Sequence, residues 1–212
     1  MGLDRAGWPF ILGALVLGLL VAAWLGRLWS LPFLALAAFF VFFFRDPDRT
    51  VPAAPNLIVS PADGRVMIVG DPPFPGAPVG TWQLISIFLS PMDVHINRTP
   101  VDGRVTKVEY HPGKFLPAYK TDAGTHNEWT EVWFDHRGTT IVCRQIVGIL
   151  ARRIVTRLEV GQLVARGERF GVMKFGSRID LFVPRSAALA VKAGDRVVGG
   201  ESVLATLPLG GQ

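Results

Sequence analysis

The chain lacks several features that mark common functional classes. It has one cysteine, Cys143, in 212 residues. A single thiol excludes a disulfide scaffold and a cysteine-based zinc site, and it suits a reducing compartment. There is no run of basic residues, and the net charge of +5 comes from 22 Lys and Arg against 17 Asp and Glu. A nucleic-acid surface is therefore not indicated, whereas a mildly cationic face toward anionic lipid is.

Catalytic motifs of fixed spacing are also missing. Gly171 and Gly176 have the spacing of a phosphate-binding loop, but Ser177 stands where that loop needs a lysine. The chain contains no Gly-x-Ser-x-Gly elbow and no His-Glu-x-x-His pair. The sequence therefore indicates neither a P-loop enzyme, nor an α/β-hydrolase, nor a zinc protease, and we predict no metal site.

Apolar residues are concentrated near the N-terminus. All but seven of residues 8–44 are apolar, and Arg27, Ser30 and Pro32 divide the run in two. Each half is short against the ~20 residues that span a bilayer. The pattern leaves open a helical hairpin with Arg27 at its far side, one span with an interfacial half, an embedded wedge, and a cleaved signal peptide.

The arginines near the apolar run favour a cytoplasmic location for the rest of the chain. We therefore predict a cell-membrane protein with anchoring hydrophobic helices over residues 1–45. Residues 46–212 would form a separate domain on the cytoplasmic side, where the chemistry resides. No nucleic-acid partner is expected.

The remainder of the chain reads as short β-type runs separated by glycine turns. The predicted strands are Leu57–Val59, Val66–Val69, Trp82–Leu89, Val101–Tyr110, Glu131–Phe134, Thr139–Ile149 and Ile154–Val160. No stretch of this part has a clean helical stripe. The fold class is therefore mainly β, a folded sandwich or barrel-like domain after the helical membrane segment.

Two internal echoes refine that prediction. Pro61–Val66 is similar to Pro100–Val105, and Val160–Val164 is similar to Ala193–Val197. The second pair is typical of the half-barrel of lipoyl-carrier domains, where a turn feeds a strand that pairs with a related strand elsewhere. The alternative is that short sequence patterns of a turn followed by a strand recur in any all-β chain.

The dipeptide Gly176-Ser177 is the only Gly-Ser pair in the chain. It usually marks a turn, but its hydroxyl can also attack the preceding carbonyl, because glycine tolerates the strained geometry. The resulting ester can eliminate to dehydroalanine, which loses ammonia and leaves a pyruvoyl group. Such chemistry needs a base, and His95 lies at a strand end beside Asp93 and Asn97. Asp63 precedes Gly64, so its alternative is an ordinary hairpin turn.

Three segments and the exit from the apolar run resemble a known family. They are Ser60–Gly64, Phe88–Pro100, Phe175–Asp180 and Phe44–Pro47. Together they resemble the phosphatidylserine decarboxylase proenzymes, and the short bacterial and archaeal branch most closely. The resemblance covers residues 30–207.

The resemblance implies that the proenzyme cuts itself between Gly176 and Ser177. The products would be a β chain, 1–176, and an α chain, 177–212, that stay together as a heterodimer, with or without further oligomerisation. Ser177 would become a covalent pyruvoyl cofactor that forms a Schiff base with the amine of phosphatidylserine in the bilayer. Loss of CO2 would give phosphatidylethanolamine, a step of phospholipid biosynthesis. An ether lipid would be processed identically.

Residue roles are implied by the same resemblance. Ser177 is the nucleophile and cofactor precursor, Asp63 belongs to the self-cleavage relay, and His95 is a proton donor to the decarboxylated carbon. Longer members carry a second histidine where this chain has Arg98, so either His95 does both jobs or His111 is recruited. The lipid phosphate would meet an arginine, and the candidates are Arg178, Arg152 and Arg153. A solvated arginine pair is the alternative.

Two other functions compete with this interpretation. One is a membrane-tethered carrier-like or adaptor β domain, suggested by the lipoyl-type echo. The other is a membrane-anchored serine hydrolase in which Ser177, His95 and Asp63 form a standing triad. The hydrolase requires Ser177 to survive intact, so the two enzymes differ in whether the chain is cut.

Overall fold

The computed structural model describes residues 2–73, 76–120, 123–148, 154–174 and 176–208. The chain separates into two compact units, Met1–Asp48 and Arg49–Gln212. Each unit has its own internal packing and is described by itself.

The first unit is a helical hairpin closed by a small strand pair. Its elements are β1 (Gly2–Leu3), α1 (Trp8–Leu25), α2 (Leu31–Phe43) and β2 (Arg45–Asp46), with 3₁₀ turns at Arg5–Gly7 and Arg27–Ser30. A proline lies in the first turn of each helix, where its missing N–H is harmless. Because β1 pairs antiparallel with β2, the two helices run in opposite directions. The unit is therefore a helical hairpin, a geometry that suits a spanning pair and an embedded wedge alike.

The hairpin suits an apolar environment. The stretch Arg5–Leu25 is long and apolar enough to cross a membrane, whereas Arg27–Phe43 is shorter. A Cβ at Gly18 would lie 3.1 Å from Cβ of Phe33, so glycine lets the helices approach closely. The outward faces expose large apolar side chains, and Trp24 is 85% exposed. Hydrocarbon around these faces would remove that apolar surface from water.

The second unit is built almost entirely of strands. They are β3 (Leu57–Val59), β4 (Gly64–Gly70), β5 (Trp82–Leu89), β6 (Ile96–Arg98), β7 (Gly103–His111), β8 (Trp129–His136), β9 (Thr139–Ile146), β10 (Ile154–Thr156), β11 (Leu163–Val164), β12 (Arg169–Met173), β13 (Ser177–Pro184), β14 (Ala188–Leu189), β15 (Arg196–Val197) and β16 (Val203–Thr206), with one short helix, α3 (Ala123–His126). The predicted mainly β class is confirmed. Two predicted strands end early: the strand from Thr139 ends at Ile146, and the strand from Ile154 ends at Thr156. Ile149 lies outside the described residues.

Three sheets form this unit. The largest has eight strands in the order β11-β7-β8-β9-β13-β5-β4-β15, and two three-stranded sheets have the orders β10-β12-β6 and β14-β16-β3. All three contribute to one apolar core, which includes Ile58, Phe170 and Ile179. The sheets stay open, and no closed barrel occurs among the described strands.

The eight-stranded sheet is pseudo-symmetric about the boundary between β9 and β13. On one side β7 pairs with β11, and on the other β4 pairs with β15, in matching register: Val164 opposes Gly103 as Val197 opposes Gly64. Strands β8 and β5 correspond in the same way, as do β9 and β13. The echoed segments are therefore equivalent positions in the two halves of the sheet, and their likeness to lipoyl-carrier domains stays a prediction.

Steric contacts explain why glycine follows aspartate in both repeated Asp-Gly dipeptides. A Cβ at Gly64 would lie 2.2 Å from the carbonyl oxygen of Phe88, and a Cβ at Gly103 would lie 2.1 Å from that of Asp135. Each glycine therefore begins its strand pressed against the backbone of the next strand, where no side chain fits.

The symmetry extends to the small sheets. Strands β6, β12 and β10 occupy the places that β3, β16 and β14 occupy in the other half. The backbone N–H of Met173 donates to the carbonyl of His95, and that of Leu207 donates to the carbonyl of Asn56. His95 and Asn56 are thus equivalent positions, each directly before a short strand.

Candidate active site

Ser177 is the first residue of β13 and pairs with Leu89, the last residue of β5. Gly176, directly before it, has φ +67°, in the left-handed region that favours glycine. Ser177 is fully buried, and its Oγ has no hydrogen-bond partner among the described residues. Burial of an unpaired hydroxyl is costly, and at Ser177 this hydroxyl directly follows a carbonyl that it could attack.

Gly148 fixes the carbonyl that precedes Ser177. A Cβ at Gly148 would lie 1.9 Å from the carbonyl oxygen of Gly176 and 3.1 Å from its carbonyl carbon. Gly148 does not have a positive φ, so backbone conformation alone would admit another residue. The close approach to the Gly176 carbonyl is what requires glycine here. Nothing in the local sequence around Gly148 signals this contact, and sequence reasoning missed it.

His95 is fully buried and its ring is oriented by the backbone. Its Nδ1 lies 2.9 Å from the carbonyl oxygen of Asp93. Because a carbonyl only accepts, Nδ1–H is the donor, and Nε2 is the basic nitrogen of the neutral ring. The Asp93 carboxylate fixes this loop by accepting from the Ser90 N–H at 2.9 Å and from Nη2 of Arg196 at 2.5 Å.

The backbone brings His95 and Ser177 to one edge of the unit. The segment from Leu89 to His95 is tied at its start to Ser177 by strand pairing and at its end to Met173 by the N–H···O bond of 3.2 Å. His95 and Ser177 therefore belong to neighbouring segments at one edge of the unit, which we call the serine end.

Asp63 also lies at this edge, directly before β4, but it is held by other groups. Its carboxylate accepts from Nη2 of Arg49 at 2.9 and 2.8 Å and from the Gly199 N–H at 2.8 Å. The structure therefore does not join Asp63 to Ser177 by a direct hydrogen bond. Arg98 is nearly buried, and its Nη1 donates to the carbonyl of Gly167 at 3.0 Å.

His111 lies away from the serine end. It lies on β7, where it pairs with Trp129 of β8. Strands β8 and β9 separate β7 from β13, so the distance is about 14 Å at the usual strand spacing. Its ring stacks on Trp129 with centroids 3.6 Å apart. The structure does not bring this residue to Ser177.

The predicted phosphate arginines are differently placed. Arg178 is fully buried, and its Nε and Nη2 donate to the two carboxylate oxygens of Asp180 at 2.6 and 2.8 Å. A phosphate role for Arg178 stays a prediction. Arg152 and Arg153 lie outside the described residues.

The pseudo-symmetry generates a second, related edge, which we call the threonine end. There Gly138, with φ +81°, precedes Thr139, the first residue of β9, which pairs with His136. Ser186 stands where the serine end has Gly148, two residues beyond the paired strand. This edge opens into a cavity of about 470 Å³ lined by Pro55, Asn56, His136, Arg137, Thr139, Ser186, Leu207 and Pro208.

A buried serine behind a left-handed glycine, with a basic imidazole at the same edge, defines a candidate active site of the kind found in proenzymes. The model of the phosphatidylserine decarboxylase family matches residues 36–205. The chain belongs to that family.

Relatives named phosphatidylserine decarboxylase proenzyme support the assignment along the whole chain. The protein of Symbiobacterium thermophilum is 45% identical over 205 residues, which cover 96% of this chain and 95% of the relative. That of Nitrosomonas europaea is 42% identical over 202 residues, covering 95% and 93%. That of Chlorobium phaeobacteroides is 41% identical over 209 residues, covering 92% and 97%.

Proposed function

We propose that this protein decarboxylates phosphatidylserine to phosphatidylethanolamine and CO2, after cutting itself between Gly176 and Ser177. Family membership supports the reaction. The observation that carries the self-cleavage is the fully buried Ser177 hydroxyl, which has no partner among the described residues. It lies directly after a carbonyl that packs closely against Gly148.

In the first step, Oγ of Ser177 attacks the carbonyl carbon of Gly176. The hydroxyl proton passes, by way of a base, to the leaving amide nitrogen, and the C–N bond breaks to give an ester. Nε2 of His95 is the base that we assign, because the Asp93 carbonyl holds the proton on Nδ1. Asp63 would act on the electrostatics of this edge through Arg49, not by a direct bond to the serine.

The ester then opens by elimination. A base removes the Cα proton of residue 177, the Cβ–O bond breaks, and Gly176 leaves with a carboxylate. The dehydroalanine formed at residue 177 tautomerises to an imine. Water adds to the imine carbon, ammonia leaves, and a ketone remains at the new N-terminus. The β chain would be residues 1–176 and the α chain residues 177–212.

The position of residue 177 fits a pyruvoyl group. It is fully buried, and its sheet neighbours Leu89 and Ile179 are apolar and fully buried. When present, the group would supply an electrophilic carbonyl that condenses with an amine and accepts the electron pair that departing CO2 leaves on carbon. His95 would then hold the proton that returns to the carbon that has lost CO2.

The apolar first unit suits an enzyme whose substrate stays in the bilayer. We propose that the hydrophobic helices within residues 1–45 anchor the protein in the cell membrane. The catalytic domain, 46–212, would then act on the cytoplasmic leaflet.

The test is the covalent state of the purified full chain. Denaturing gels and intact mass should show two chains that meet at 176/177, the second beginning with a pyruvoyl group. The Ser177→Ala variant should remain one chain without decarboxylase activity. An active preparation with an uncut chain and an intact Ser177 would overturn the proposal and favour a serine hydrolase.

Ser86→Ala is the matched control. Ser86 lies on β5 beside β13, is fully buried, and its hydroxyl also has no partner among the described residues. Its variant loses the same atom from the same sheet and should be cut as the wild type is.

A further inference from the structure

A row of three residues, half-buried at Thr156 and buried at Gly171 and Asn97, crosses the small sheet β10-β12-β6. Thr156, Gly171 and Asn97 oppose one another in register. The side chain of Gln145, from β9 of the large sheet, lies over this row. Oγ1 of Thr156 donates to Oε1 of Gln145 at 2.7 Å, and Nε2 of Gln145 donates to Oδ1 of Asn97 at 2.7 Å.

The middle residue of the row is glycine because the neighbouring strand and the amide leave no space for a side chain. A Cβ at Gly171 would lie 2.6 Å from the carbonyl oxygen of Val155 and 2.9 Å from Nε2 of Gln145. Gly171 does not have a positive φ. The close approach of the Val155 carbonyl, with the Gln145 amide beside it, therefore excludes a side chain, and the backbone conformation does not.

The fold itself does not require polar residues here. In the other half of the unit, Leu189, Ala205 and Ile58 form the equivalent row. Val183 of β13 holds the place of Gln145, and this row belongs to the apolar core. Burying amides costs free energy that an apolar row avoids. The polar row is thus specific to the half that contains His95 and Ser177.

The row ends on unused donors. Asn97 is fully buried, and its Nδ2 has no hydrogen-bond partner among the described residues. Thr156 donates to Gln145 and Gln145 donates to Asn97, so each bond polarises the next toward the two N–H groups of Asn97. A buried N–H donor without an acceptor is a candidate binding site for an oxygen atom of a ligand.

Asn97 faces the same layer as the serine end. It lies two residues after His95, on the same face of the chain. Its partner Gln145 opposes Ile179, and Ser177 is two residues before Ile179 on the same face. Gln145 and Ser177 are diagonal neighbours of this kind, about 7–8 Å apart, and Asn97 lies one hydrogen bond beyond the amide of Gln145. A serine headgroup bound at residue 177 would extend along Gln145 toward Asn97.

We propose that Nδ2 of Asn97 binds the carboxylate of the serine headgroup and thereby distinguishes phosphatidylserine from phosphatidylethanolamine. This inference rests on the proposed function. A neutral amide suits the task, because it orients a carboxylate more weakly than a guanidinium would. A weaker hold on the ground state opposes the loss of CO2 less.

The test is capture of lipid amines by residue 177 in the Asn97→Asp variant. Aspartate keeps an oxygen for Nε2 of Gln145 and replaces the two N–H donors by a second oxygen. The cut protein is mixed with vesicles of phosphatidylserine or of phosphatidylethanolamine and cyanoborohydride. The amine condenses with the ketone, water leaves, and hydride from the reagent reduces the C=N bond. The mass of the α chain then counts captured lipid.

We expect Asn97→Asp to cut itself and to capture phosphatidylethanolamine at the wild-type rate. Capture of phosphatidylserine should fall by about 10- to 100-fold, the value of a hydrogen bond to a charged group. An equal change for both lipids, or no change for phosphatidylserine, would overturn the inference. Failure of the wild type to be cut, or to capture either lipid, would instead overturn the proposed function.

A second variant guards against misfolding of the first. It brings the apolar row of the other half to this one by combining Asn97→Ile, Gln145→Val and Thr156→Leu, and it keeps Gly171, whose Cβ would lie 2.6 Å from the carbonyl oxygen of Val155. This variant should fold, be cut, and capture phosphatidylethanolamine in preference to phosphatidylserine. If both variants stay uncut, Asn97 serves self-cleavage and the carboxylate assignment is wrong.

Discussion

The serine end and the threonine end share a backbone and differ in what surrounds it. At each, a left-handed glycine, Gly176 or Gly138, precedes a hydroxyl residue that begins an eight-residue strand of the same sheet. Ser177 is fully buried and its hydroxyl has no partner among the described residues, whereas Thr139 is half-buried beside an open cavity. A glycine followed by a hydroxyl in this conformation is therefore not sufficient for a reactive site.

A few side chains account for the difference. His95 at the serine end corresponds to Asn56, and Gly148 corresponds to Ser186. One exchange supplies a base and the other removes a side chain that would collide with the Gly176 carbonyl. Placing the residues of the threonine end at the serine end should therefore reduce the reactivity of Ser177.

The largest effect is expected for His95→Asn, which places the residue of the threonine end at the serine end. Loss of the imidazole removes both a base and a proton donor, so CO2 release from phosphatidylserine vesicles should fall about 1000-fold. Normal turnover would remove His95 from the mechanism. His136→Gln is the control, because His136 is also buried and its Nδ1 donates to the Asp102 carbonyl at 2.7 Å.

A smaller effect is expected for Gly148→Ser, which imports the side chain of Ser186. The new side chain must displace the Gly176 carbonyl from Ser177, and a misplacement of about 1 Å slows a reaction about 100-fold. A gel time course of self-cleavage measures the rate, and a thermal melt verifies the fold. The reciprocal Ser186→Gly should be cut normally. A Gly148→Ser protein cut at the wild-type rate would contradict the role of this contact.

The smallest of the three effects is expected for Asp63→Asn. Removing the charge weakens the bond to Arg49 by about 1.5 kcal/mol, which would slow self-cleavage about tenfold if all of it reached the reacting atoms. The same change at Asp102, the echoed position, should have no effect on cleavage, because that side chain is 41% exposed. Equal slowing by both variants would show that Asp63 has no special place in the reaction.

The sequence predicted the chemistry-bearing residue types better than the contacts between them. Trp82–Leu89 and Leu57–Val59 form strands with the predicted bounds. Strand β13 was not predicted, because Arg178 and Asp180 interrupt its apolar pattern. In the fold these two charges neutralise each other while fully buried, which pattern reading does not show.

The contacts of Gly148 and Asn97 could not be predicted from the sequence either. Each depends on a residue distant in the chain: the Gly176 carbonyl touches Gly148, and Gln145 reaches Asn97. The part of Asp63 in the self-cleavage relay stays a prediction, and its bonds to Arg49 and to the Gly199 N–H were not foreseen from the sequence. Local sequence predicts which turns and strands form, whereas the partners of a buried polar atom are decided by the packing of the sheets.

The position of β13 has a consequence for the lifetime of the protein. This strand is central, bonded to β5 on one side and β9 on the other, and the proposed cut frees its first residue. The α chain, 177–212, is too short to form a core by itself. Folding would therefore have to precede scission, since only the intact precursor could insert this strand between β5 and β9. A mature molecule that unfolds would have lost its route back, so the cell would replace it by synthesis and not by refolding.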